Sequence, residues 1–254
     1  MTVWVFGDSF VDIQPNRGNV WPLLIAQKLN QNLNCFGQGG SAIEYTYYQF
    51  NVNREYIKNN DVVIVALTDT NRRWFFKDKP ANAVDIYQNT NDAYKYYALY
   101  LANNNEIIPT YLINFVENLE YLRKKLNCHI IVIPCFEVID NIIKQGKADY
   151  PYINFSNGHL FDVSYKEFDL KFIQSYGLLK YARNDLRPNH MIKSNHIILA
   201  DKIVNNIKNQ EPIVFDTFVK YVLNEHNLTN KEYSINELYN AHLNEELWNF
   251  HQFG

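Results

Sequence analysis

The apolar run Val3-Trp4-Val5-Phe6 near the start of the chain ends abruptly in Gly7-Asp8-Ser9. Four consecutive bulky side chains predict a strand buried on both faces, as in a parallel sheet. Three comparable segments follow. One, over 33–36, is short and ends in Gly37-Gln38-Gly39-Gly40-Ser41. The clearest is Val62-Val63-Ile64-Val65-Ala66-Leu67, opened by Asp61 and followed by Thr68-Asp69-Thr70-Asn71-Arg72-Arg73. The fourth is His129-Ile130-Ile131-Val132-Ile133-Pro134.

Helical periodicity lies between these strands. Trp21, Leu24, Ile25 and Leu29 share one helical face, predicting a helix capped by Asn19 and running to about 32, with Pro22 tolerated in its first turn. Further helices are expected over 42–58, 91–102 and 109–126. Another is expected over 194–208, where Ser194 is the cap and Ile197, Ile198, Ala200, Ile203 and Ile207 turn to the sheet. Residues 74–89 read as an irregular insertion over one rim. Residues 149–169 read as a long Tyr- and Phe-bearing loop with a short strand at 159–163. Strands alternating with helices predict a three-layer α/β/α sandwich with a parallel sheet, flavodoxin-like in layout. From about 215 that rhythm stops, and helices are expected over 217–224 and 235–251. The chain thus divides into a domain over 1–214 and a helical extension over 215–254, either an added layer on the same domain or an oligomer contact.

Composition narrows the function classes. The 254 residues are 47% hydrophobic, enough for one sizeable core. A net charge of −3 with no basic stripe gives no electrostatic case for nucleic acid or an anionic membrane. The 15% of aromatic residues read mostly as core. Three cysteines without CxxC spacing argue against a disulfide framework and a zinc site. No run approaches the ~18 apolar residues of a membrane span, and the strand at the start leaves no secretory h-region. Synthesis in a reducing cytoplasm without an export signal is the expectation. The heavy use of Asn, Ile, Lys and Tyr fits an AT-rich genome.

The chemistry centres on Ser9, which falls outside the carboxyl end of a strand, where open α/β sheets bind ligands. Gly7-Asp8-Ser9, the block Cys35-Phe36-Gly37-Gln38-Gly39-Gly40 and a histidine, His190, ten residues before Ala200 of the last sheet-facing helix together resemble the SGNH hydrolases, the GDSL esterase/lipase family, over about 1–210. The resemblance implies that Ser9 is the nucleophile and that His190 is its general base. The backbone N–H groups of Ser9 and Gly40 would then bind the oxyanion. Cys35 stands where the family has asparagine. At the third block, Leu67-Thr68-Asp69-Thr70, Asp69 replaces the asparagine whose side chain donates to the oxyanion. An ionised carboxylate only accepts hydrogen bonds. The donor is therefore a protonated Asp69, or Asn71 or Thr68 turned in its place. Three residues before His190 the family has aspartate and this chain has Arg187. Asp185 is then the expected orienter of His190, with a backbone carbonyl or Asp162 as alternatives.

Asp69 and Arg187 are expected to form an exchanged charge pair across the cleft, and Asp8, Arg72 and Arg187 to contact substrate. His159 is expected near the cleft or at the surface, and His196 in packing. No cofactor and no metal are implied. The implied activity is hydrolysis of a small acyl ester, such as an O-acetyl group on a carbohydrate. The alternative is the same fold kept as a binding or structural module. The AT-rich style and added C-terminal helices resemble phage-encoded members, some of them virion components. A nucleotide-binding flavodoxin-like role is disfavoured, because the first strand carries no GxGxxG cradle.

Overall fold

The computed structural model describes residues 1–13, 20–69, 72–73, 81–82, 107–137, 139, 141, 143, 150–164, 191, 193–222 and 249–252. Its strands are β1 (Thr2–Gly7), β2 (Asn32–Gly37), β3 (Val62–Leu67), β4 (Arg72–Arg73), β5 (Ala81–Asn82), β6 (His129–Pro134), β7 (Asn154–Phe155), β8 (Val219–Val222) and β9 (Asn249–Gln252). Its α-helices are α1 (Trp21–Leu29), α2 (Ile43–Asn53), α3 (Ile107–Leu126) and α4 (Lys193–Asn209). Five strands form one sheet in the order β2-β1-β3-β6-β7, and every pair in it is parallel.

The continuous apolar runs produce this sheet because alternate side chains feed two different cores. Val3, Val5, Val62, Ile64, Ile131 and Ile133 pack on one face with Trp21 and Ile25 of α1 and Leu199, Ala200 and Ile203 of α4. Trp4, Phe6, Val63, Val65, Ile130 and Val132 pack on the other with Ile43 and Phe50 of α2 and Leu112, Phe115 and Leu119 of α3. The molecule is thus an α/β/α sandwich, and strands covered on both sides can be apolar throughout. At the amino edge Asp61 ties the strands together. Its carboxylate accepts the N–H of Thr2 at 2.7 Å, the indole N–H of Trp4 at 2.9 Å and the N–H of Lys58 at 2.9 Å.

Several expected elements differ. The residue preceding α1 is Val20, which makes no side-chain cap; Asn19 lies outside the described residues. Ser194 lies inside α4 rather than capping it. The strand expected at 159–163 is a 3-10 turn over Leu160–Val163, and the edge strand comes earlier, as the two-residue β7. Arg72–Arg73 pairs antiparallel with Ala81–Asn82, and the second of these strands falls within the expected irregular insertion. At the carboxyl end β8 and β9 pair antiparallel, where helices were expected over 217–224 and at the end of 235–251. Val219 and Tyr221 alternate with Lys220 and Val222, and such a β-branched and aromatic run suits a strand. Residues 91–102, and those between β8 and β9, lie outside the described set.

Candidate active site

The order of the sheet defines where a site can form. From β1 the chain moves outward to β2, then returns past β1 to β3 and continues outward to β6. The reversal makes the carboxyl ends of β1 and β3 a topological switch point, where crevices open in such sheets. Gly7 is level with Gly37, and Leu67 with Pro134. The loops after β1, β2, β3 and β6 therefore converge on one edge, and Ser9 is half-buried among them.

Ser9 sits within a tight turn. The N–H of Val11 donates to the Asp8 carbonyl at 3.1 Å. The N–H of Phe10 donates to Asp8 Oδ1 at 2.9 Å, an Asx turn that spans Ser9. Asp8 is fully buried. Its Oδ2 accepts the Thr68 hydroxyl and the Arg72 Nη1–H, the latter at 2.7 Å. The same Nη1 donates to Thr68 Oγ1 at 3.0 Å and lies 3.5 Å from the Ser41 carbonyl. The Arg72 backbone N–H also donates to the Asp69 carbonyl at 3.3 Å. A buried carboxylate needs such compensation, since losing one partner of a buried pair typically costs about 3–5 kcal/mol. Arg72 is directed inward, with its side chain 13% exposed. Thr68, considered from sequence as an oxyanion donor, gives its single hydroxyl proton to Asp8 instead.

The loop after β2 is latched to the same turn. Asp12 Oδ2 accepts the Gly39 N–H at 3.2 Å, and the Cys35 thiol donates to the Val11 carbonyl at 3.0 Å. The half-buried thiol is pushed up to about 12, chiefly by loss of water, against a hydrogen bond from Gly37 and with a further rise from Asp12. It therefore stays protonated and keeps donating. Ser41 Oγ donates to the Gly7 carbonyl at 3.3 Å. Gly40 has φ +73°, and a Cβ built on it would meet nothing within 4 Å. The space where a side chain would stand on Gly40 is thus open.

Aromatic rings back the turn. The Phe136 ring lies 5.9 Å from that of Phe10, 5.7 Å from that of Phe161 and 5.7 Å from the Arg72 guanidinium. The Trp21 indole N–H donates to the Phe10 carbonyl at 2.9 Å. The Trp21 backbone N–H donates to His196 Nδ1 at 3.2 Å, so His196 caps α1 from α4. Cys135, buried behind the turn, has its Sγ 4.0 Å from Asp8 Oδ1. Its thiol is pushed well up by loss of water and then by the Asp8 charge.

Of the residues expected in the site, Ser9, Asp8, Gly40, Asp69 and Arg72 are described, at the ends of β1, β2 and β3. His190, Asp185, Asn71 and Arg187 lie outside the described residues, as does the pair expected between Asp69 and Arg187. Met191, one residue after His190 in sequence, is buried and bridges Ser164. The turn ending at Ser164 also carries a histidine–carboxylate pair, His159 Nε2 to Asp162 Oδ2 at 3.2 Å. The Arg72–Asp8 pair and the His196 cap were missed in sequence because their partners are 64 and 175 residues apart. The polar run from Thr68 to Arg73 directly after an apolar strand was the available signal. Among the described residues no group of three or more His, Cys, Asp or Glu could hold a metal ion, and no helix is long and apolar enough to cross a membrane.

No family model and no curated protein matches the sequence. Solved structures with a similar chain path include a protein assigned to the G-D-S-L lipolytic family from Desulfitobacterium hafniense, at 16% identity and TM-score 0.43 over 79% of this chain and 95% of that one. An α/β hydrolase from the metagenome of Lake Arreo, Spain, is 13% identical with TM-score 0.45 over 82% and 96%. An acetyl xylan esterase from the rumen bacterium Butyrivibrio proteoclasticus is 15% identical with TM-score 0.36 over 61% and 54%.

Proposed function

We propose that this protein is a serine ester hydrolase of the SGNH type, acting on a small acyl ester such as an O-acetyl group on a carbohydrate. The observation that carries this reading is the position of Ser9. It lies in a fixed turn at the switch point of the sheet, beside a glycine loop in which the space where a side chain would stand on Gly40 is open. Ser9 Oγ attacks the acyl carbonyl while His190 takes its proton, and the Ser9 and Gly40 N–H groups hold the oxyanion. Collapse of the tetrahedral adduct breaks the ester C–O bond, and His190 returns the proton to the leaving alcohol. Water then attacks the acyl carbonyl while His190 takes its proton, the bond from the acyl carbon to Ser9 Oγ breaks to release the acid, and His190 returns the proton to Ser9 Oγ. Asp185 is the proposed orienter of His190. With Thr68 committed to Asp8, Asn71 is the remaining side-chain donor. The lack of one such donor costs about 3 kcal/mol in comparable sites.

The test is labelling by a fluorophosphonate together with turnover of an activated acetyl ester. We expect one label per chain, at Ser9. Ser9→Ala should abolish labelling, and His190→Ala should slow it by roughly three orders of magnitude. A second reading, a binding or structural module on the same fold, is favoured by the carboxylate of Asp69 at the donor position. Absence of labelling and turnover from about pH 6 to 9, the range in which a histidine base would work, would establish it over the enzyme.

A further inference from the structure

We propose that Arg72 is a positioning residue that sets the conformation of the Ser9 turn, acting through Asp8. The proposal deepens the nucleophile reading of Ser9 and rests on it for its catalytic consequence.

The geometry begins with the Asx turn. Asp8 Oδ1 accepts the Phe10 N–H at 2.9 Å, so the Asp8 side chain and the Phe10 backbone enclose Ser9. The backbone bond from Val11 N–H to the Asp8 carbonyl at 3.1 Å closes the same turn, and the Asp8 carboxylate is its side-chain restraint. That carboxylate is fully buried and cannot be held by solvent. Its other oxygen is held by Arg72 Nη1 at 2.7 Å and by the Thr68 hydroxyl. Nη1 also reaches Thr68 Oγ1 at 3.0 Å and the Ser41 carbonyl at 3.5 Å. One guanidinium nitrogen thus joins the loops that follow β1, β2 and β3. Phe136, 5.7 Å from the guanidinium, covers one of its faces. Arg72 itself is anchored twice in backbone, by its N–H on the Asp69 carbonyl and by its pairing with Asn82 across β4–β5.

The residue type matters. A guanidinium is charged at every working pH and presents its N–H groups in a rigid plane, whereas a lysine ammonium is a point charge on a flexible stem. A charge in that plane holds both the acid and the hydroxyl beside it. Removing it leaves a buried carboxylate that must find water, and turning Asp8 towards water breaks the Asx turn around Ser9. A displacement of about 1 Å in a reacting group is enough to cost on the order of a hundredfold in rate.

The experiment compares the full-length protein with Arg72→Met, Arg72→Lys, Asp8→Asn and the double variant Arg72→Met/Asp8→Asn. Hydrogen exchange is followed peptide by peptide, and fluorophosphonate labelling is split into inhibitor affinity and the rate of covalent capture. For Arg72→Met we expect exchange at Phe10 and Val11 to rise by about tenfold or more while β3 and β6 stay protected. Covalent capture should fall by about tenfold with affinity changed less than about twofold, and Arg72→Lys should recover part of the loss. The double variant should be no worse than Arg72→Met, because the two residues act as one unit. Unchanged exchange at Phe10 and Val11, a rise spread evenly over the sheet, or additive losses would overturn the proposal. If Arg72→Met does not fold, Thr68→Val and Arg72→Lys carry the same comparison. If the unsubstituted protein is not labelled, the nucleophile reading falls, and the exchange data still decide whether Arg72 holds the turn.

Discussion

Gly37 and Gly40 stand three residues apart and are glycine for different reasons. A Cβ on Gly37 would come within 2.6 Å of the Asp12 nitrogen and the Val11 carbonyl carbon, both backbone atoms. A Cβ on Gly40 would meet nothing within 4 Å, but φ there is +73°. Gly37→Ala must push the Ser9 loop away and is expected to cost about 2–3 kcal/mol, the range of overpacked sites. Gly40→Ala carries only left-handed strain, about 1–2 kcal/mol. Chemical denaturation of the two variants checks the order, and a larger loss for Gly40→Ala would refute the close approach of the two loops. At this scale the sequence was informative wherever a residue type was constrained by backbone: the Gly-Asp-Ser turn and the glycine block could be placed on strand ends from their neighbours alone. Asp8 was not legible in the same way. Nothing near it in sequence reveals that its carboxylate is buried against Arg72, because the pairing depends on which strands the fold makes neighbours.

Helix α1 shows how an element can be completed by a distant one. Val20 precedes it and offers no side-chain acceptor, so the first backbone N–H groups need partners from elsewhere. The Trp21 N–H finds His196 Nδ1 on α4, and the Trp21 indole carries the connection on to the Phe10 carbonyl beside Ser9. His196→Phe keeps a ring in the contact between α1 and α4 and removes the acceptor. A buried donor left unsatisfied should lower stability by about 1–3 kcal/mol. Urea unfolding checks this, and a variant as stable as the parent would show that the cap contributes nothing. Elements with four or more apolar residues in register, β1, β3, β6 and α4, were legible because periodicity and burial agree in them. β7 was not, since two residues carry no period. The segment at Val219–Val222 was mistaken for helix because four residues fit either pattern, and strand pairing with Asn249–Gln252 decided between them.

Across the whole molecule, polar groups gather at the two ends of a sheet whose faces are dry. The carboxyl end holds the candidate site. The amino end holds Asp61 and a cluster in which His129 Nε2 meets Asn206 Oδ1 at 2.8 Å and Asn154 Nδ2 at 3.3 Å. The shorter contact assigns the Nε2 proton to Asn206, and Asn206 in turn donates its amide to the Glu211 carbonyl at 2.6 Å. This cluster joins β6, β7 and α4. Burial holds His129 below its ordinary value of 6.5, outweighing the Asn206 hydrogen bond that pulls it up, with the Arg123 charge a further lowering influence. A histidine depressed in the folded state binds its proton more readily once the chain unfolds. Its contribution to stability is therefore complete above the ordinary value, and is lost as pH falls from there through the lower folded one. We expect the urea midpoint to drop between about pH 7.5 and 5.5, and His129→Gln, which still offers an N–H to Asn206, to flatten that slope. Equal slopes in the two proteins would show that His129 does not sense acid from within the fold. A flattened slope would mean that the sheet is anchored at its amino end by a neutral histidine. The Ser9 turn lies at the other end of the sheet, and the pH profile of labelling in His129→Gln should match that of the parent.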